Sequence, residues 1–383
     1  MREEEFSVTP WEVKGKVDYD RLIKEFGTDK IEEGLLTEIK KYTHDLHPLL
    51  KRKIFFSHRD LDWILAEYSK GVKFYLYTGR GPSGDVHLGH LVPWIFTKWL
   101  QDKFDVELWF QLTDDEKYLF EKKLGIRDAK KFARSNALDI IALGFDPEKT
   151  HIFSDIQLSG LLYPQALKVA KRVNFSTTKA IFGFNEQSNI GQIFFTSMQA
   201  VPAFLPSALA EKNIPCLIPH AIDQDPHFRL ARDVLPKLGY LKPAAIHCKF
   251  FPGLKEGGKM SASKREDAIF TTDSKADVKK KISNAFTGGA TSIKEQRTKG
   301  GNPDKCSIFQ YYYYLFEWDD EKLQTIRNEC KGGSLLCGEC KKRLIERVEK
   351  FLEDHQRKRE EAKDLLDKYL VEHSKKIFEL YDK

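Results

Sequence analysis

His87 and His90 stand three residues apart in YTGRGPSGDVHLGH, the stretch from Tyr77 to His90 that also holds Gly79, Gly81 and Gly84. Imidazoles one helical turn apart, beside a glycine-rich turn and a helix N-terminus, suit charge that develops on phosphate oxygens. Gly89 between them leaves room for a nucleobase or ribose to approach the backbone. Far along the chain, PGLKEGGKMSASKRED places Lys259, Ser261 and Ser263 in a glycine-flanked loop. Such a loop supplies a cation and hydroxyl donors that close over a triphosphate. Each feature alone has a plainer counterpart: paired histidines cap or pack a helix, and a Lys-Ser loop is a solvated turn.

The three glycines also have the GxGxxG spacing of a dinucleotide fold, which predicts an acidic residue about 20 positions later, at the end of the next strand. Asp105 lies at that distance but precedes the strand-like VELWF, at its wrong end. Pro82 removes an amide from the loop, and the imidazoles have no part in a neutral hydride transfer. The nicotinamide reading therefore weakens. A catalytically silent nucleic-acid-binding chain predicts damaged motifs, and both motifs are intact.

The elements that must position these residues follow an alternating rhythm. KFYLY, VELWFQL, HIFS, IPCLIP and AIHCKF read as strands, and amphipathic stretches at 88–101, 129–143 and 226–238 lie between them. This alternation predicts βα units and an α/β fold with a Rossmann-type parallel sheet, whose ligands sit beyond the carboxyl ends of the strands. YTGRG, QLTDDE and PHAIDQDP are the loops at those ends. Beyond about residue 270 helical patterns take over, at 319–329 and 341–370. The expected organisation is an N-terminal extension over 1–70 (a short hairpin near Pro10 and Trp11, then helices), a catalytic domain over 71–270 and a helical domain over 271–383. The four consecutive tyrosines from Tyr311 to Tyr314 cover all faces of a helix and read as packing.

Composition sets the class. The chain has 383 residues, 41% hydrophobic and 31% charged, which excludes a disordered or collagenous protein. No segment is apolar enough to span a bilayer and MREEEFSVTPWEV lacks a leader's apolar stretch, so no membrane association and a cytoplasmic location are expected. A net charge of +6 is compatible with a polyanionic partner without requiring one. Six cysteines in such a chain read as thiols or ligands, not as a disulfide framework.

HLGH and KMSAS, in this order on one Rossmann-type domain, resemble the two signatures of the class I aminoacyl-tRNA synthetases. The likeness narrows with FYLYTGRGPSG, LTDDEK, GFDPEKTHIFSD, IFGF and AIDQDPHFR, and with SVTPWEV and IFFSHRD in the prefix. Together they look like the tryptophanyl-tRNA synthetase family of eukaryotes and archaea, from about Phe6 almost to the end. Tyrosyl-tRNA synthetases share the architecture, but TGRGPSG and AIDQDP favour tryptophan.

The resemblance implies a ligase that forms tryptophanyl-adenylate from L-tryptophan and ATP with Mg2+, then loads tRNA(Trp). It implies a homodimer that binds tRNA across subunits, an anticodon-binding C-terminal domain, and no appended N-terminal helical domain. By this likeness Tyr77 and Gln111 meet the indole nitrogen, while Glu116, Gln199 and Gln224 hold the amino and carboxylate ends. An indole N–H only donates, so its pocket must present an acceptor. ATP is assigned to Thr78, Gly79, Arg80, Gly81, His87, Gly89, His90, Lys259, Met260, Ser261 and Ser263, with His87, His90, Lys259 and Ser261 as the catalytic set. Ala262 replaces the second lysine of the common KMSKS form, and Arg80 is the substitute cation.

Cys306, Cys330, Cys337 and Cys340 are spaced C-x23-C-x6-C-x2-C. A close pair within four thiols suits zinc or an iron-sulfur cluster, and some bacterial relatives carry a four-iron cluster at nearly this spacing. Cys306 is one residue out of that register. Unliganded, small apolar thiols are the preferred expectation, with no metal, and a cluster on these four is the alternative.

Overall fold

The computed structural model describes residues 6–10, 13–15, 17–261 and 264–371. In chain order its strands are β1 (Ser7–Val8), β2 (Val13–Lys14), β3 (Asp29–Lys30), β4 (Phe55–Arg59), β5 (Tyr75–Arg80), β6 (Leu108–Leu112), β7 (Thr150–Ser154), β8 (Cys216–Ala221) and β9 (Ala244–Cys248). The last five are the five runs expected as strands. Every residue of β6 and β9 is buried, as befits strands covered on both faces, and all but Gln111 and His247 in them are apolar.

The main sheet has the order β3-β4-β9-β8-β5-β6-β7, parallel from β9 to β7. The first parallel strand in the chain, β5, thus lies in the middle; β6 and β7 extend one side, and the chain then crosses over to lay β8 and β9 on the other. This is the doubly wound order of the Rossmann-type fold. Its reversal opens a crevice beyond the carboxyl ends of β5 and β8.

The segment before residue 71 forms the expected hairpin, β1 with β2, although Trp11 lies outside the described residues. It also supplies β4, which pairs antiparallel with β9, and β3, which pairs antiparallel with β4 at the sheet's edge. The polar residues of β4 hide it as a strand in the sequence, because their partners are distant. Ser57 Oγ lies 2.9 Å from His247 Nδ1, and Arg59 grips both oxygens of Asp225 at 2.7 and 2.8 Å.

Beyond Phe270 the named elements are helical, among them Lys275–Ser283, Asp320–Lys331 and Cys337–Glu361. The long helix stops at Glu361, short of the expected 370, since the chain turns there to bury Ala362, Leu366 and Tyr369. The Tyr369 hydroxyl donates to the Phe145 carbonyl at 2.6 Å. Tyr311, Tyr312 and Tyr314 are buried; Tyr313 and Tyr314 donate to the carbonyls of Arg52 and Phe250, which ties the helical part to the sheet.

Candidate active site

β5 ends in the glycine turn, and the helix Leu88–Phe104 leaves from it. The glycines serve close approach. A Cβ on Gly79 would sit 3.1 Å from the Gln111 carbonyl on β6, and one on Gly81 would sit 2.0 Å from Lys117 Cε. The β5 end therefore presses against the start of the helix Asp114–Phe120. A cleft of about 370 Å³ opens here, at the sheet's point of reversal. Tyr77, Thr78, Gly79, Arg80, Gly81, His87, Gly89, His90, Glu116, Gln199, Gln224, Lys259, Met260 and Ser261 all line it, while Ser263 lies outside the described residues.

His87 and His90 stack with ring centroids 3.6 Å apart, and the His87 amide donates to His90 Nδ1 at 3.1 Å. That bond places the proton of a neutral His90 on Nε2. Burial first, then Arg80, pushes His87 down to about 3 and His90 well below its ordinary value. Both rings are thus neutral near pH 7 and act through N–H donors. The cation of this wall is Arg80, whose Nε and Nη2 are buried without a partner. Burial lowers its guanidinium to about 10, so it stays charged. Gly89 is covered: a Cβ there would lie 3.1 Å from the His87 ring and 3.4 Å from Phe251. It gives space to the histidine as well as to any ligand. Thr78 spends its hydroxyl on the Pro219 carbonyl, 2.9 Å away, and so staples β5 to β8.

The opposite wall carries Lys259. Its Nζ lies 3.4 Å from Asp223 Oδ2 and 5.0 Å from the centre of the Phe250 ring. Burial raises the Asp223 carboxyl, with Lys259 acting against it. Met260 anchors the loop by donating its amide to the Phe251 carbonyl at 2.9 Å while its side chain is buried.

Beneath the cleft lies a buried amide network. Gln111 Nε2 donates to both oxygens of Asp155 at 2.9 Å, which turns its Oε1 the other way, toward the Tyr77 hydroxyl at 2.5 Å and Gln199 Nε2 at 3.1 Å. Gln199 Nε2 also reaches the Tyr77 oxygen at 2.8 Å. Tyr77 and Gln199 face the cleft, whereas Gln111 is wholly buried behind them. An acceptor cluster so oriented suits a ligand that only donates. Burial first, then the neighbouring Asp115, holds the Asp155 carboxyl well above the ordinary range. Glu116 accepts from Lys117 and Thr113, both at 2.6 Å. Burial works against its charge, but these partners hold its carboxyl below the usual range. Gln224 reaches back to the Pro10 carbonyl at 3.4 Å, placing the N-terminal hairpin at the cleft mouth.

Sequence reasoning missed Asp155, Lys117 and Asp223. Asp155 closes HIFSD and Asp223 sits inside AIDQDP, so the strand-end rule pointed to both without giving either a role. His220, Asp225 and His247 have ligand atoms within 4.8 Å of one another, the compact spacing a metal needs. Arg59, however, already holds both Asp225 oxygens and opposes a cation there. Asp225 and His247, held by Arg59 and Ser57, fix β4 to β9.

Cys306, Cys330, Cys337 and Cys340 come near one another, for burial first and then the neighbouring cysteines push Cys330 up to about 11 and Cys340 up to about 12. Among the described residues the four thiols are not gathered as closely as the histidine–aspartate trio, nor as closely as one tetrahedral zinc draws its ligands.

One solution property follows from the buried imidazoles. Burial lowers His47, His58, His87, His90, His220 and His227. An unfolded chain protonates these rings near 6.5, so it binds more protons than the fold below that pH, and stability falls as pH falls from about 6.5 toward 4. The raised carboxyls Asp114, Asp115, Asp155 and Asp223 run the other way, but they are fewer. The urea midpoint is expected to drop between pH 7 and pH 5. A level or rising midpoint would show that the rings carry protons in the fold.

The family described as tRNA synthetases class I (W and Y) matches residues 69–353. A tryptophan–tRNA ligase of Thermococcus kodakarensis is 53% identical over 369 residues, 96% of this chain and 94% of that protein. One of Pyrobaculum calidifontis is 50% identical, covering 96% of this chain and 98% of its own. The crystal structure of Plasmodium falciparum tryptophanyl-tRNA synthetase is 41% identical and superposes with a TM-score of 0.88 over 94% of this chain and 99% of that one.

Proposed function

The chain belongs to the class I tRNA synthetases, among the tryptophan–tRNA ligases, and from that premise we propose how its cleft divides the work. The reaction joins L-tryptophan to tRNA(Trp) at the expense of ATP. In the first step a tryptophan carboxylate oxygen attacks the α-phosphorus; the new O–P bond gives tryptophanyl-adenylate, and diphosphate leaves. In the second, the 2′-hydroxyl of the terminal adenosine attacks the acyl carbon and AMP leaves. No covalent bond to the protein is needed, so catalysis is positioning and charge stabilisation.

Tyr77 and Gln199, backed by Gln111, accept the indole N–H, and Glu116 answers the ammonium group, with Gln224 at the other side. Arg80, the His90 Nε2–H and Lys259 with Ser261 face the phosphates. Mg2+ arrives with the triphosphate: the cleft carboxylates Glu116 and Asp223 are already paired with Lys117 and Lys259, so the phosphates supply the ion's main ligands. The observation that carries this reading is that one cleft joins the acceptor network of Tyr77 and Gln199 to the cationic wall of Arg80 and Lys259.

Residues 271–383 are proposed to read the anticodon, and the four cysteines are taken as unliganded thiols. A homodimer is proposed on the exposed apolar side chains Tyr163, Leu167, Phe175 and Ile190, which lie on three successive helices. A cytoplasmic setting accords with the lack, among the described residues, of any helix long and apolar enough to cross a membrane. Purified protein is expected to exchange diphosphate into ATP with tryptophan and not with tyrosine or without amino acid. Equal exchange with tyrosine would overturn the assignment of the indole pocket.

A further inference from the structure

A second cavity lies apart from the cleft. It measures about 770 Å³ between the helix Ile126–Ala142 and the turn that buries Leu366 and Leu370, and among the described residues its lining contains no acidic residue. Arg127, Lys130, Lys131 and Arg134 recur at one-turn spacing along one face of that helix, all exposed, and Lys363 faces them across the gap. Among the described residues none of the four forms an ion pair, although the chain's other basic residues frequently do, as Lys363 does with Glu360. A solvated helix face of ordinary composition would mix its charges; this one concentrates cations in a concave site, and the N-terminal half of the helix adds its dipole to them.

The cavity is also aimed. Leu112 and Ser154, the last residues of β6 and β7, form part of its wall, so it opens on the same sheet edge as the cleft, displaced toward β7. Asn136 of the same helix donates to the Gly84 carbonyl at 3.0 Å, which couples the basic face to the glycine turn. The helix Asp114–Phe120 separates the two sites: Glu116 lines the cleft, while Asp114 accepts from the cavity residue Ser154 at 2.6 Å.

We propose that this basic cavity holds the phosphodiester backbone of the tRNA acceptor arm as its 3′ end enters the cleft. The inference rests on the ligase reading above. A polyanion fits because phosphate contacts need cations in a row, not a base-specific pocket. The acceptor arm fits because Leu112 and Ser154 set the cavity at the cleft's edge of the sheet, with Lys363, Leu366 and Leu370 of the helical part closing its other side.

The test compares Lys131→Glu/Arg134→Glu, and the milder Lys131→Gln/Arg134→Gln, with the unaltered enzyme in two assays. Aminoacylation of tRNA(Trp), and of an acceptor-stem minihelix, is expected to lose about tenfold or more in kcat/KM through KM, and the dependence of log KM on log salt is expected to flatten by about 1 to 2. Tryptophan-dependent diphosphate exchange is expected to stay level, since neither residue touches the cleft. Unchanged KM for both RNAs overturns the proposal and leaves the ligase reading intact. Loss on full-length tRNA alone overturns the acceptor-arm placement, and a parallel loss of exchange would show that the helix acts through the cleft instead. If the unaltered enzyme shows no exchange with tryptophan, the ligase reading itself fails.

Discussion

Lys259→Ala is expected to slow adenylate formation in a single turnover by about 10²- to 10³-fold, with tryptophan affinity changed less than about twofold. The ammonium group stands over the Phe250 face beside Asp223 and belongs to no hydrogen bond of the Tyr77–Gln111–Gln199 network. Its charge counts most as negative charge gathers on the departing diphosphate, a gain confined to the transition state. Removing it also strips a buried carboxyl of its cation. Lys259→Ala/Asp223→Asn removes that second consequence, and the rate is expected to remain low. Recovery in the double variant would mean that Lys259 serves Asp223 and not the phosphates.

Gln111→Ala acts at the other end of the cleft. It leaves Asp155, the Tyr77 hydroxyl and Gln199 Nε2 short of a partner in a buried site, and each such group costs about 1–3 kcal/mol. The kcat/KM for tryptophan is expected to fall about 10²-fold or more, with the KM for ATP nearly level, measured by diphosphate exchange. Asp155→Asn tests the same point more gently. Asp155 forces the Gln111 amide to turn Nε2 inward and Oε1 toward the cleft side; an asparagine carries both donor and acceptor, so the amide is free to reverse. Discrimination against tyrosine and phenylalanine is expected to narrow, because the pocket then offers a donor where the indole also donates. Unchanged discrimination would show that Tyr77 and Gln199 orient Gln111 without help.

The parts of this site that follow one strand were legible, because apolar runs and glycine turns are local signals. The runs ending in Tyr77 and Leu112 announce β5 and β6, and the loops after them hold Arg80 and Glu116. Asp155 was not legible as a positioning residue: an aspartate after a strand is ordinary turn chemistry until Gln111 is seen beside it. β4 escaped for a related reason. Ser57 and Arg59 break the apolar pattern, and only the sheet reveals that His247 and Asp225 satisfy them. The neutrality of His87 and His90 likewise depends on burial and on Arg80, neither of which residue type or spacing expresses. The stop of the last long helix at Glu361 depends on the burial of Tyr369 against Phe145.

The pairing of β4 with β9 has a bearing on how the chain is made. Ser57 and His247 are 190 residues apart, and at roughly 5–20 residues per second about 10–40 s pass on the ribosome between the two strands. Until β9 emerges, β4 has only the two-residue β3 to pair with, and Phe55 and Phe56 have no sheet to cover them. The nascent chain therefore carries an open, aromatic strand edge through about half of its synthesis, the kind of surface that holdase chaperones bind and that neighbouring nascent chains can capture. Completion of the enzyme is a late event in translation: the strand that closes this edge, β9, leads directly into the segment carrying Lys259, so the edge is sealed only as that loop itself leaves the ribosome.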